Sequence, residues 1–178
     1  MLYFIAIVTP EAINQQILEW KHYMREQFHC IVALKSPAHI TLIPPFEMGE
    51  TAQPEMQALL EPFAARQQRF PIRLKNFDAF KPRVIYTDVL PNPSLSALQT
   101  SLEATLLQSQ RFAIKKDDRP FHPHITIANR DLKKEDFPQA WQHFQQLTYE
   151  AVFTAGAITL LKLNDHRWQT AITAPFAY

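Results

Sequence analysis

A chain of 178 residues, 47 % hydrophobic and 20 % charged, is long enough to bury roughly 70 % of its unfolded surface, and its composition argues against disorder. Eighteen Lys and Arg against 17 Asp and Glu leave a formal charge of +1, which argues against a large sequence-independent nucleic-acid surface and for an anion that is small or gripped at one end. Two glycines, Gly49 and Gly156, are too few for a glycine-rich phosphate loop. The single cysteine, Cys30, permits no intrachain disulfide and fits a reducing compartment; between His29 and Ile31 it reads as a small apolar packing residue.

In chain order, Leu2 to Val8 reads as a buried strand: it lacks the basic leader and cleavage site of a signal peptide, and no apolar run approaches the ~20 residues of a membrane span. A cytoplasmic location is expected. Pro10-Glu11 opens a helix with Thr9 as N-cap, and Ile13, Ile17, Trp20, Tyr23, Met24 and Phe28 recur along it at helical spacing. After a turn at Lys35-Ser36-Pro37, Ala38 to Ile43 alternates as a strand that Pro44-Pro45 is expected to stop. Pro54 to Gln68 is a second helix. Phe70 to Phe80 and Val84 to Leu90 are two strands, and Ser94 is expected to cap a third helix reaching about Gln110. A charged loop at 115–119 leads through Pro120 to His122 into a strand over Pro123 to Ala128. A fourth helix is expected over Lys133 to Phe144, then strands over Leu147 to Phe153, Ala157 to Leu163 and Trp168 to Thr173.

One pattern occurs twice. Ala38-His39-Ile40-Thr41-Leu42-Ile43 and Pro123-His124-Ile125-Thr126-Ile127-Ala128 share the core His-Ile-Thr-apolar, with the histidines 85 residues apart, about half the chain. Strand residues i and i+2 share a face, so each histidine projects with its threonine while Ile40, Leu42, Ile125 and Ile127 point to the core. Two lobes related by duplication would face these copies across a cleft. Two imidazoles suit phosphodiester chemistry, since near neutral pH one ring can be neutral and accept a proton from water while the other is protonated and donates to the leaving oxygen. The threonine hydroxyls can donate to non-bridging phosphate oxygens. This chemistry requires no metal or other cofactor.

The paired motifs His39-Ile40-Thr41-Leu42 and His124-Ile125-Thr126-Ile127, with the lead-in Arg119-Pro120-Phe121-His122-Pro123, resemble the signature of the two-histidine (2H) phosphoesterase superfamily, which includes 2′-5′ RNA ligase-like proteins and cyclic phosphodiesterases. The resemblance implies one bilobal α+β domain over 1–178, with two pseudo-symmetric antiparallel sheets lining a central cleft and helices outside. It implies hydrolysis of a 2′,3′-cyclic phosphate or a related nucleotide or RNA-end phosphodiester, with His39 and His124 catalytic and Thr41 and Thr126 binding phosphate. The sequence reading leans to His124 as base and His39 as acid. The arginine that many members carry just after the second motif has only Arg130 as its counterpart, displaced past Ala128-Asn129.

Lys35 and Arg119, four and five residues before the two motif histidines, are candidates to meet phosphate at the cleft mouth. Tyr86 and Phe46 are candidates to stack on a base. His22, His29, His143 and His166 have no motif around them and are expected at the surface. The partner expected is a nucleotide or RNA terminus carrying a cyclic phosphate, bound by a monomer that does not associate with membrane. Three other readings stay open: 2′-5′ end-joining of RNA, a nucleotide-binding module without turnover, and a metal-dependent hydrolase using His122-x-His124 with His39. Completeness of both His-x-Thr pairs speaks against pure binding, and insensitivity to a chelator would eliminate the metal reading.

Overall fold

The computed structural model describes residues 1–178. β1 (Leu2–Val8) is buried over its five central residues and leads into α1 (Glu11–Phe28). The helix start differs from expectation: no side chain caps α1. Thr9 instead donates both its backbone N–H (3.0 Å) and its hydroxyl (3.2 Å) to the Ala38 carbonyl, tying the start of α1 to the segment before the first motif. Ile13, Ile17, Met24 and Phe28 are buried along one side of α1, as their spacing predicts. Cys30 is buried beyond it, and burial pushes its thiol up to about 11.

β2 (His39–Glu47) does not stop at Pro44-Pro45 but runs through both. It is an edge strand, so a proline can turn its missing donor outward, and the pairing with β1 slips between Ile5↔Ile43 and Tyr3↔Phe46. α2 (Gln53–Ala64) contains Pro62 near its end and finishes four residues short of Gln68. β3 (Phe70–Phe80) and β4 (Val84–Val89) follow. α3 (Pro93–Ser109) is capped by Asn92, whose Oδ1 accepts from the Leu95 N–H at 3.0 Å, in place of the expected Ser94. β5 (His124–Ala128) carries the second motif. α4 (Phe137–Phe144) begins after a turn at 133–136. The Leu147 N–H still bonds the Phe144 carbonyl, which delays β6 to Glu150–Ala155. β7 (Ala157–Asn164) and β8 (Arg167–Pro175) form the last hairpin.

All strand pairs are antiparallel, in two four-stranded sheets ordered β2-β1-β7-β8 and β5-β4-β3-β6. The runs β1-α1-β2-α2 and β4-α3-β5-α4 are two copies of one strand–helix–strand–helix unit, and in each the motif strand is the edge strand beside its partner. After α2 the chain crosses to the second sheet as β3, and after β6 it returns to complete the first with β7 and β8. Each lobe is thus finished by strands from elsewhere in the chain. A core of 40 buried residues runs through both lobes. Its members Ile40, Leu42, Ile125 and Ile127 are at most 2 % exposed, and burying each contributes about 1.5–3 kcal/mol. This anchoring of the alternate residues presents the motif side chains on the opposite face. A smaller cluster of Phe4, Ala6 and Leu161, flanked by Val8 and Trp168, lies on the other face of the first sheet. No helix is long and apolar enough to cross a membrane.

Candidate active site

The edge strands β2 and β5 lie against each other, which brings the two His-x-Thr motifs together from separate sheets. His39, Thr41, His124 and Thr126 are all half-buried. Their cross-strand neighbours correspond by position and differ in chemistry. On the first sheet His39 pairs with Val8 and Thr41 with Ala6. On the second, His124 pairs with Asp88 and Thr126 with Tyr86.

Both imidazoles are held in the same way. The Nδ1 of His39 lies 2.7 Å from the Pro37 carbonyl, and the Nδ1 of His124 lies 2.7 Å from the His122 carbonyl, each two residues upstream. A carbonyl only accepts, so Nδ1 carries the hydrogen in each ring and Nε2 is left to accept or donate a proton. The first lead-in is fixed further by the Ala38 N–H, which donates to Asn14 Oδ1 at 2.8 Å.

The two rings differ in their readiness to protonate. Burial, with smaller contributions from the charges of Lys21 and His124, pushes His39 down to about 4 against the pull of its bond to Pro37. Burial also lowers His124, with His122's charge adding to the fall; the bond to the His122 carbonyl and, to a lesser extent, Asp88 oppose it. Burial raises Asp88 in turn. In the free site both rings are therefore mostly neutral at pH 7, His39 the more strongly so, and His124 is the ring whose surroundings include a carboxylate.

A cavity of about 410 Å³ opens beside His124, with Thr41, Phe80, Arg119, Phe121 and His122 also in its wall. His39 and Thr126 are not in that wall. Arg119 reaches the cavity but is tied to Asp117 by two N–H donations, 2.9 and 2.8 Å. Lys35 sits half-buried in a short 3-10 turn (Val32–Lys35), outside the cavity wall. Arg130 is exposed in the turn after β5 and does not line the cavity. That turn is pinned to the first lobe by Asp131, whose carboxylate accepts the backbone N–H groups of Ile31 and Val32 at 2.6 and 2.8 Å.

Neither aromatic named as a stacking candidate offers a free face. Phe46 is buried against Tyr3 with ring centres 6.3 Å apart. Tyr86 is 1 % exposed, its hydroxyl is 3.1 Å from His122 Nε2, and burial raises it to about 12. The exposed aromatic in the cavity wall is Phe80, which is not among the stacking candidates named from sequence. It is 39 % exposed, with its ring centre 5.0 Å from both His122 and His124. The sequence reading likewise leaves Asp88 and Lys21 out of the site and considers His122 only as a metal ligand. Asp88 reaches it through strand register and Lys21 bears on it from α1, which a linear motif does not show, whereas His122 lies two residues before His124 in the chain. His22 and His143, expected at the surface, are half-buried, and His143 stacks on Tyr23 at 4.0 Å. The three histidines of the metal reading do not assemble: no group of three or more His, Cys, Asp or Glu side chains converges in metal-binding geometry.

A family profile described as the 2′-5′ RNA ligase superfamily matches residues 9–167. A Bacillus subtilis (strain 168) protein named RNA 2′,3′-cyclic phosphodiesterase is 28 % identical over 149 residues, covering 76 % of this chain and 75 % of its own. Among solved structures, a Thermus thermophilus protein superposes with a TM-score of 0.72 at 20 % identity, over 99 % of this chain and 98 % of its own. Escherichia coli LigT complexed with 3′-AMP superposes with a TM-score of 0.67 at 21 % identity and the same coverage, which extends the likeness of fold over both lobes. With the family profile spanning both His-x-Thr motifs, this chain belongs to the 2′-5′ RNA ligase superfamily of two-histidine phosphoesterases.

Proposed function

We propose that residues 1–178 act as one bilobal domain that hydrolyses a 2′,3′-cyclic phosphate at a nucleotide or RNA terminus, with His39 and His124 as the acid–base pair. The observation that carries this reading is the matched anchoring of the two imidazoles, each with Nδ1 bound to the carbonyl two residues upstream and Nε2 left for chemistry. The name of the Bacillus subtilis relative and the 3′-AMP bound to LigT agree with such a substrate.

In the reaction, a neutral imidazole accepts a proton from water through Nε2 as the water oxygen attacks phosphorus. One ester P–O bond breaks, and the departing ribose oxygen takes the proton from Nε2 of the other ring. The product is a phosphomonoester, and the two rings have exchanged protonation states. Such proton transfers are each worth about 10²–10⁴-fold. Thr41 and Thr126 donate hydroxyl hydrogens to the non-bridging oxygens, and Phe80 supplies a face for the base. Arg119 is partly neutralised by Asp117, and because both imidazoles are lowered in the free site, the ring that serves as acid takes up its proton as the anionic phosphate binds. His39, the ring held the more firmly neutral, is assigned as base, and His124, with Asp88 across the strand, as acid, the reverse of the order expected from sequence. The near-neutral net charge agrees with a small or terminal ligand. A monomer in a reducing, cytoplasmic setting completes the proposal.

The test is incubation with the four 2′,3′-cyclic mononucleotides and with a short RNA ending in a cyclic phosphate, under excess EDTA. The proposal expects a single phosphomonoester product. A 2′-phosphate or a 3′-phosphate identifies the leaving oxygen, and the ring beside that oxygen is the acid. No turnover of any of these substrates would overturn the substrate class.

A further inference from the structure

Among all Lys, Arg, Asp and Glu residues, Lys21 alone is buried, at 3 % exposure. It lies on the apolar side of α1 with Ile17 and Met24. No carboxylate pairs with it; its ammonium donates to the Ser36 carbonyl at 3.0 Å. Burial lowers it to about 8. An ammonium taken out of water without a counter-ion destabilises a fold, and an apolar chain of the same length would pack there at less cost. Stability therefore does not account for a lysine at this position, whereas its location does. The Ser36 carbonyl belongs to the three-residue segment Ser36–Ala38 that leads directly into His39. Within it Pro37 holds the His39 ring, and Ala38 is gripped by Asn14 and Thr9. Lys21 is also near enough for its charge to bear on His39.

We propose that Lys21 is a positioning residue for the acid–base reaction: its ammonium anchors the Ser36–Ala38 segment that orients His39, and it sets an unneutralised positive charge behind the phosphate. This rests on the functional reading above only in that the bound anion is a phosphate. The ionisable groups bearing on His39 are Lys21 from α1 and His124 from β5. From β1 it meets Val8 across the strand and the Phe4 ring at 4.7 Å, with no charged side chain on that strand.

The test compares wild type with Lys21→Met, which keeps the length of the stem and removes both donor and charge, and with K21R, which retains both. Three quantities are read: thermal stability, kcat and KM on a 2′,3′-cyclic mononucleotide, and the titration midpoint of the His39 imidazole by NMR. K21M is expected to be no less stable than wild type, to lose about tenfold or more in kcat/KM, as removal of a hydrogen bond to a charged group does, and to raise the His39 midpoint. K21R is expected to stay close to wild type in midpoint. A K21M variant with kcat/KM within about twofold of wild type and an unmoved His39 midpoint would overturn the proposal. K21Q, neutral but able to donate, is expected to raise the midpoint as well, so the proposal remains refutable if K21M does not fold. If wild type turned over no cyclic phosphate, the functional reading would fail, yet the NMR comparison would still decide whether Lys21 acts on His39.

Discussion

Acidification should cost this protein stability through His39, by an amount the structure sets. The ring titrates at 6.5 in an unfolded chain and at about 4 in the fold, where burial disfavours its charged form. Because the folded value is the lower one, the unfolded state binds more protons between these limits. The contribution of His39 is complete above pH 6.5 and is lost as pH falls towards 4. A separation of this size corresponds to about 3 kcal/mol, of which about 2 is lost by pH 5 and most by pH 4. Carboxylates titrate in the same range, so the measurement must isolate the imidazole. Urea denaturation of wild type and His39→Gln at pH 7, 5.5 and 4 does so, since the glutamine cannot protonate and every other group is shared. Wild type should lose about 3 kcal/mol more than H39Q between pH 7 and 4. Parallel pH dependences for the two proteins would refute the claim that the fold holds His39 as a neutral ring.

Three further outcomes follow from particular contacts. Replacing Phe80 by Ala should raise KM for a cyclic nucleotide about 5- to 100-fold, the range of a lost base–aromatic stack, with little change in kcat; an unaltered KM would remove Phe80 from the binding face. Asp88→Asn removes the carboxylate that opposes the lowering of His124, so the His124 midpoint, read by NMR or from the pH–rate profile, should move down; a fixed or rising midpoint would contradict the pairing across β4 and β5. Asn92→Ala removes the only side-chain cap seen on the four helices and should cost about 1 kcal/mol, or roughly 2–4 °C in Tm, by calorimetry.

The functional pair was legible in the sequence because it depends on local rules. Strand alternation alone puts His39 with Thr41 and His124 with Thr126, and repetition of the same core in each half points to a shared cleft. The apolar positions of α1 were legible for the same reason. Features set by pairing between distant segments were not. Pro44-Pro45 signals a stop, yet an edge strand with an irregular register carries the prolines to Glu47. Asp88 and Tyr86 gain meaning only from their register against His124 and Thr126, and that register is a tertiary fact. Lys21 sits where helical periodicity calls for an apolar residue, a local conflict that a stricter reading of α1 would have marked. Phe80 was one of 13 phenylalanines and is distinguished only by exposure beside the histidines. The passage of β3, and later of β7 and β8, between sheets has no local signature at all.

The central claim is that His39 and His124 act together as one acid–base unit, and a double-mutant cycle on turnover of a 2′,3′-cyclic phosphate under EDTA tests it most directly. Each of His39→Ala and His124→Ala should lower kcat by about 10²–10⁴-fold, and the double variant should be scarcely slower than the slower single, because a concerted pair fails when either member is lost. Two small effects that multiply in the double variant, or full activity in either single variant, would contradict the account.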